Sequence, residues 1–339
     1  MKTRYIVIEP DNVDNNLTMQ AGLCIKGGGV VALPTETVYG LGANGFCEEA
    51  VKKVFLAKGR PSDNPLILHV SQIEDIKKIA VLTDNARLLF ERFTPGPLTV
   101  VMKKLDSVPN IISAGLDTVA VRIPAHPVAR AVINAAGVPV AAPSANLSGC
   151  PSPTKSEHVI NDLDGKIDMI VDGGECTVGL ESTVVDMTGE SAVILRPGAI
   201  SAADIAGVVG LVVEGGLLKS DSVPKSPGMK YRHYAPNARV IVVEGSEQEV
   251  ADKTELYIKQ FMQSNNKVGV FAAADKGRYP TDYVIYGGYD ANKYAKGLFD
   301  ALRSFDLIGV DVIISQIIWE GGISDAIRNR LYKAASRDI

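Results

Sequence analysis

Short runs of aliphatic and β-branched residues recur along the first two thirds of the chain, separated by proline- and glycine-marked breaks. Runs of this length between turn residues read as strands. They fall at Val30–Leu33, Leu66–Val70, Leu98–Lys103, Val119–Ile123, Val138–Ala142, Met169–Val171, Thr183–Met187 and Ala192–Leu195. Helical spacing interrupts them. Val51, Val54 and Phe55 share one face of a helix predicted over Glu48–Lys58, with Gly59 placed to close it. Ser71-Gln-Ile-Glu74 has the spacing of a capping box and predicts a helix start. Pro127 suits the first turn of a helix running to Gly137. Farther on, the order becomes regular: strand Val240–Val243, helix Gln248–Gln263, strands Val268–Ala272 and Tyr283–Tyr286, helix Ala291–Phe305, strand Val312–Ile318, helix Ala326–Ala335. Such alternation predicts a small, mostly parallel α/β domain.

Composition marks the boundary between these regimes. Most of the 18 prolines lie at or before Pro153 and most of the 11 tyrosines at or after Tyr231. Between them, Lys219–Asn237 is rich in Pro, Ser and Gly and shows neither helical nor strand periodicity, so it reads as a linker. The chain of 339 residues is long enough for about two domains. We expect a first domain over 1–215, a linker over 216–237 and a second domain over 238–339. No window approaches the roughly 20 apolar residues that cross a bilayer, and the apolar run before Glu9 is too short for a signal peptide, so a cytoplasmic protein is expected.

Charge and cysteine usage remove further classes. The net charge of −4 argues against a protein whose main task is gripping a nucleic-acid backbone, although a local basic groove is compatible with it. Cys24, Cys47, Cys150 and Cys176 form no C-x-x-C pair, and the four histidines form no H-E-x-x-H. Zinc ligation and a disulfide framework are therefore not expected, and the cysteines read as buried free thiols. Gly27-Gly28-Gly29 precedes a strand instead of following one, which excludes a dinucleotide fingerprint. Neither a Walker phosphate loop nor a G-x-S-x-G nucleophile elbow occurs.

What remains is a set of polar clusters at strand ends. Pro34-Thr-Glu-Thr-Val-Tyr-Gly-Leu-Gly42 follows the first strand, and its Thr35, Glu36 and Thr37 suit either a cleft lining or a self-capping turn. Lys58-Gly-Arg-Pro-Ser-Asp-Asn-Pro-Leu66 sets a point charge, a planar fork and the hydroxyl of Ser62 on a constrained loop. That is the combination a polyphosphate needs, although a lysine can equally stabilise a helix C-terminus. His69 falls inside a strand beside Ile67 in facing. Arg122, near the end of an apolar strand, needs an anionic partner, either a structural aspartate or a ligand carboxylate. Ala141-Ala-Pro-Ser-Ala-Asn-Leu-Ser-Gly149, Gly179-Leu-Glu-Ser-Thr-Val184 and Ile194-Leu-Arg-Pro-Gly198 add small and polar residues after further strands.

Taken in order, the segments P-T-E-T-V-Y-G-L-G, K-G-R-P-x-x-N-P-L, P-G-P-L-T, V-R-I-P, A-P-S-A-N and L-E-S-T-V resemble the threonylcarbamoyl-AMP synthase family, whose catalytic unit is the YrdC-like domain. The match runs from about Gly28 to Gly198, and Ser226–Pro236 resembles the linker of the two-domain form. The resemblance implies a twisted open mixed α/β sheet with a second, smaller Rossmann-like α/β domain. It implies an enzyme, a nucleotidyltransferase that makes threonylcarbamoyl-AMP and pyrophosphate from L-threonine, bicarbonate and ATP with Mg2+. Other proteins, the tRNA threonylcarbamoyl transferase machinery, would then modify tRNA, with any direct tRNA contact by this chain weak. By the same resemblance Lys58, Arg60 and Arg122 are catalytic. Thr35, His69, Arg122, the Ala142 backbone and Ser182 form the threonine pocket. Lys58, Arg60, Ser62, Thr118, Ser144, Asn146, Ser152 and Arg196 line the ATP side, with His233 and Tyr234 of the linker closing over it.

Two rivals share parts of this pattern. A double-stranded-RNA or tRNA-binding module would use the same cations on a phosphate backbone, with steep salt dependence and no need of ATP. A related carbamoyl-adenylate enzyme would use carbamoyl phosphate, but such proteins usually carry acylphosphatase-like and zinc-finger regions, and no C-x-x-C is present here.

Overall fold

The computed structural model describes residues 2–214, 233–273 and 279–335. Two compact units divide the chain; 149–152, 178–180 and the described residues from His233 on belong to the second.

The first unit is built on one eleven-stranded mixed sheet. In chain order its strands are β1 (Arg4–Val7), β2 (Val31–Leu33), β3 (Gly40–Asn44), β4 (Ile67–His69), β5 (Leu98–Lys103), β6 (Thr118–Arg122), β7 (Val140–Ala141), β8 (Met169–Asp172), β9 (Thr183–Asp186), β10 (Ala192–Arg196) and β11 (Val212–Glu214). Across the sheet they run β1-β8-β2-β3-β7-β4-β6-β5-β9-β10-β11. β4 and β6 pair parallel, β5 runs antiparallel to β6, and β9 pairs parallel to β5.

Strand alternation sorts the side chains. Leu68, Val70, Leu98, Val100, Val119, Val121 and Val185 bury one face against Leu89, Phe90 and Ile205 from helices Asp84–Phe93 and Ala202–Val209. Ile67, Val101, Ala120 and Val184 form a smaller apolar cluster of their own. Residues two apart on a strand share a face, so His69, Thr99 and Arg122 stand on the side of that smaller cluster. A polar site is thereby set on one face while the main core stays apolar on the other.

Helix Glu48–Lys58 ends on Gly59 at φ 61°, a left-handed closure that glycine adopts without strain. Helix Pro127–Ala136 ends in the same way. The capping box expected at Ser71 does not form. The helix there is a single turn, Ile73–Ile76, whose N-cap Gln72 makes no side-chain cap, and Ser71 Oγ bonds the Asp75 carboxylate instead. All four cysteines are free, but only Cys176 is buried, the other three being partly exposed.

The second unit carries a four-stranded parallel sheet of β12 (Arg239–Glu244), β13 (Val268–Ala272), β14 (Tyr283–Tyr286) and β15 (Val312–Ile317), ordered β12-β15-β13-β14. Helices Glu247–Gln263, Ala291–Ile308 and Ile323–Ala335 complete it; the last starts three residues earlier than the sequence predicts. Ser246 and Glu249 cap the first of these helices reciprocally. Gln316 is buried with its amide satisfied: Oε1 accepts the Ala273 N–H, and Nε2 donates to Thr254 Oγ1 and Tyr279 OH. Among the described residues no helix is long and apolar enough to cross a membrane.

Candidate active site

The turn between β2 and β3 is built from its own hydroxyls. Thr35 Oγ1 accepts the N–H groups of Thr37 and Val38 at 3.2 Å each and donates to Val38 O at 2.6 Å. With that proton committed, the Thr37 hydroxyl is the donor in the 2.9 Å Thr35–Thr37 contact. Thr35, expected in a substrate pocket, thus has a side chain that shapes the turn. Behind it, Tyr39 OH donates to Gly174 O at 2.7 Å and also reaches Asp172. Burial opposes ionisation of Asp172, but hydrogen bonds from Tyr5, the Gly174 N–H, Ser156 and Tyr39 outweigh it and hold the carboxyl below its usual range.

The turn presents Glu36. Its Oε1 accepts from Arg122 Nη2 at 2.7 Å and its Oε2 accepts the Ala125 N–H at 3.0 Å. The pair is deeply buried, with side-chain exposures of 5% for Arg122 and 8% for Glu36. The structural partner of Arg122 is therefore a glutamate from the first polar motif, not an aspartate. Arg122 still keeps its Nε buried without a hydrogen-bond partner. Buried donors left in this state are rare in folded proteins, and this N–H is open to a water, an ion or a ligand acceptor.

Register carries the site sideways from Arg122. His69 on β4 and Thr99 on β5 are both its cross-strand partners, and Thr99 is in turn opposite Val184 on β9, which is opposite Arg196 on β10. Hydrogen bonds follow the same row. Thr99 Oγ1 lies 2.7 Å from Ser182 Oγ, and Arg196 donates to Ser182 O and Ser182 Oγ at 3.1 Å each. The turn after β10 closes tightly on this row, since a Cβ on Gly198 would lie 2.2 Å from Thr183 N. His69 is driven down to about 3 by burial, with the Arg122 charge adding to it, so the ring is neutral and its Nδ1 has no partner.

A second cluster holds the cations. Lys58 Nζ donates to Ser144 O at 2.6 Å, Asn146 O at 2.5 Å and Asn146 Oδ1 at 3.3 Å, and the residue is only 2% exposed. Its ammonium organises the A-P-S-A-N loop. Arg60 Nη2 donates to Asn64 O and Pro65 O, folding the K-G-R-P loop on itself. Ser62 is exposed on that loop, and the buried Asn64 Oδ1 has no partner. Ala142 gives its N–H to Ile67 O at 3.0 Å, which leaves its carbonyl for any ligand contact. Thr118 begins β6, four residues from Arg122 and on the same face, about 13 Å along the strand.

Of the remaining expected residues, Ser152, His233 and Tyr234 belong to the second unit. Tyr234 is 4% exposed and adopts φ 64°, with its ring stacked on Phe299 at 5.2 Å and under the Arg330 guanidinium at 5.7 Å. The ring is an anchor of that unit's core. Of the expected linker 216–237, residues 216–232 lie outside the described residues. Among the described residues no group of three or more His, Cys, Asp or Glu side chains is placed to hold a metal ion.

Sequence reasoning passed over Glu36 as the Arg122 partner and gave no role to Thr99 or Asn64. Each sat inside a motif that was already singled out, so the signal was position within the motif and not residue type.

A family model described as "Telomere recombination", covering the Sua5, YciO and YrdC proteins, matches residues 24–198, and a "Threonylcarbamoyl-AMP synthase, C-terminal domain" model matches 200–336. The chain belongs to the threonylcarbamoyl-AMP synthase family. It is 49% identical to the threonylcarbamoyl-AMP synthase of Pyrococcus abyssi over 93% of both chains, and 47% identical to that of Bacillus subtilis over 99% of this chain and 98% of the other. The crystal structure of P. abyssi Sua5 complexed with L-threonine superposes with a TM-score of 0.95 at 46% identity, covering 98% of each chain. The superposition extends over both sheets described above, so the polar row of β4, β6, β5 and β10 lies within the part of this chain that matches that structure.

Proposed function

We propose that this chain is a threonylcarbamoyl-AMP synthase, joining L-threonine, bicarbonate and ATP into threonylcarbamoyl-AMP and pyrophosphate. The observation that carries the reading is Arg122: a buried guanidinium held on one side by Glu36, with Nε–H left over beside a neutral His69. That arrangement suits the carboxylate of an amino acid in a family whose relatives bear this activity.

The chemistry is nucleotidyl transfer without a protein nucleophile. The threonine nitrogen, as the free amine, bonds to the carbon of CO2, giving a carbamate and releasing one N–H proton; with bicarbonate the C–O bond to its hydroxyl breaks and that proton leaves with the hydroxyl as water. A carbamate oxygen then bonds to the α-phosphorus of ATP while the bond from that phosphorus to the bridging oxygen breaks and pyrophosphate departs. Positioning and charge neutralisation are the protein's tasks. Arg122, His69, the Ala142 carbonyl and Ser182 orient threonine, with Thr35 shaping the turn that delivers Glu36. Arg60, Ser62, Thr118, Ser144, Asn146, Ser152 and Arg196 serve the nucleotide. Lys58 acts on it through the loop it organises and through its positive field. Mg2+ would accompany ATP and would supply further neutralisation of the phosphate charge. His233 and Tyr234 are carried over to the nucleotide side from the family resemblance. The product passes to the machinery that modifies tRNA, and the compartment is the cytoplasm.

A non-catalytic RNA-binding module is disfavoured by the net charge of −4 and by the burial of Arg122, which removes that cation from a phosphate backbone. The test is pyrophosphate release from MgATP with each substrate omitted in turn, and mass-spectrometric detection of threonylcarbamoyl-AMP. Release that needs both threonine and bicarbonate supports the assignment; release indifferent to threonine refutes it.

A further inference from the structure

We propose that Glu36 is a positioning and specificity-determining residue for the amino-acid substrate, making the site selective for a zwitterion over a simple hydroxy-carboxylate anion. The inference rests on the threonine-binding role given to Arg122 above and adds what sets that arginine's direction and charge balance.

Glu36 divides its two oxygens. Oε1 takes Arg122 Nη2, and Oε2 takes the backbone N–H of Ala125, three residues beyond Arg122. The carboxylate is therefore fixed by the same segment whose guanidinium it fixes. A guanidinium is planar with its five N–H donors in a rigid fork, so pinning one nitrogen sets where the unpartnered Nε–H points. The turn that carries Glu36 has little freedom of its own, because Thr35 and Thr37 close it and Tyr39 is tied to Gly174.

Charge is the second consequence. Arg122 and Glu36 are both buried, and their charges sum to zero. The ring facing them on β4, His69, is neutral. An entering anion that lacks an ammonium group would meet a guanidinium whose charge is already balanced. A zwitterion offers its carboxylate to the Nε–H and keeps its own charges balanced in the same way. Without the Glu36 charge, the site would carry a net positive guanidinium and would favour the anion.

The experiment compares the full-length wild type with Glu36→Gln and Glu36→Asp in pyrophosphate release from MgATP and bicarbonate, with threonine varied and 3-hydroxybutyrate as competitor. For Glu36→Gln the threonine KM should rise tenfold or more and the ATP KM should stay within twofold. The ratio of 3-hydroxybutyrate Ki to threonine KM should fall at least tenfold, a change that general loosening would not produce. Glu36→Asp, which keeps the charge but withdraws it by one methylene, should raise the threonine KM with the selectivity ratio preserved; this variant decides the matter if Glu36→Gln does not fold. A threonine KM unchanged in the folded variants, or one rising in step with the ATP KM at constant selectivity, overturns the Glu36 role alone. Absence of threonine-dependent turnover in the wild type overturns the functional reading and this inference with it.

Discussion

Replacing Arg122 by methionine keeps most of the side chain's volume and removes its charge, which separates two costs that the structure assigns to one residue. The first is structural. Glu36 would stay buried with only the Ala125 N–H as partner, and an uncompensated buried charge of this kind costs about 3–5 kcal/mol. The second is functional. Loss of a shielded, hydrogen-bonded charge on the substrate carboxylate is worth about 2–5 kcal/mol, or about 30-fold to several-thousand-fold in kcat/KM for threonine. The double variant Arg122→Met with Glu36→Gln separates them. It should recover most of the lost stability, because the neutral amide no longer carries an unpaired charge, yet recover none of the threonine kinetics. Denaturant unfolding reads the first quantity, and pyrophosphate release at varied threonine reads the second. The reasoning is refuted if Arg122→Met is as stable as wild type, or if the double variant regains normal threonine kinetics.

Lys58→Met should release the Ser144–Asn146 loop and raise the ATP KM at least tenfold, with a smaller effect on threonine, because its ammonium donates to three oxygens of that loop; equal effects on both substrates in steady-state kinetics would contradict this. His69 and His126 are both held below their ordinary value by burial. The unfolded chain therefore takes up protons below about pH 6.5 that the folded chain refuses, so stability is complete above that pH and falls as pH drops toward 3. The His69 share of the slope is up to about 1.4 kcal/mol per pH unit. Unfolding midpoints at pH 7.5 and 5.5 should differ less in His69→Gln than in wild type, and an identical slope would count against a neutral buried ring. Tyr234→Ala should destabilise the second unit by about 3 kcal/mol through loss of a buried aromatic; unchanged thermal unfolding would show that its stacking on Phe299 is not an anchor.

Legibility followed how directly a residue's partners are local. Apolar runs such as Leu98–Lys103 and Val312–Ile317 were plain, because burial on one or both faces leaves its mark in the run itself. β3, with the sequence Gly-Leu-Gly-Ala-Asn, left none: its strand pairing is supplied by β2 and β7, not by β-branched residues. Helix Asn15–Lys26 was passed over although Asp14 caps it, because its apolar positions are weakly periodic. The motifs located the site, but not the assignment of charge within it. Nothing local distinguishes a lysine that meets phosphate from one that meets three oxygens 86 and 88 residues away, as Lys58 does. The same holds for Arg122, whose partner Glu36 is 86 residues distant, and for Tyr234, whose anchoring contacts Phe299 and Arg330 come from much later in the chain.

The most direct measurement is a crystal of the full-length chain grown with L-threonine and a non-hydrolysable ATP analogue. The account predicts the threonine carboxylate within hydrogen-bond distance of Arg122 Nε, beside His69, with the nucleotide toward Ser144 and Thr118 on the same sheet face. Threonine bound elsewhere, with Arg122 Nε still unpartnered, would contradict it.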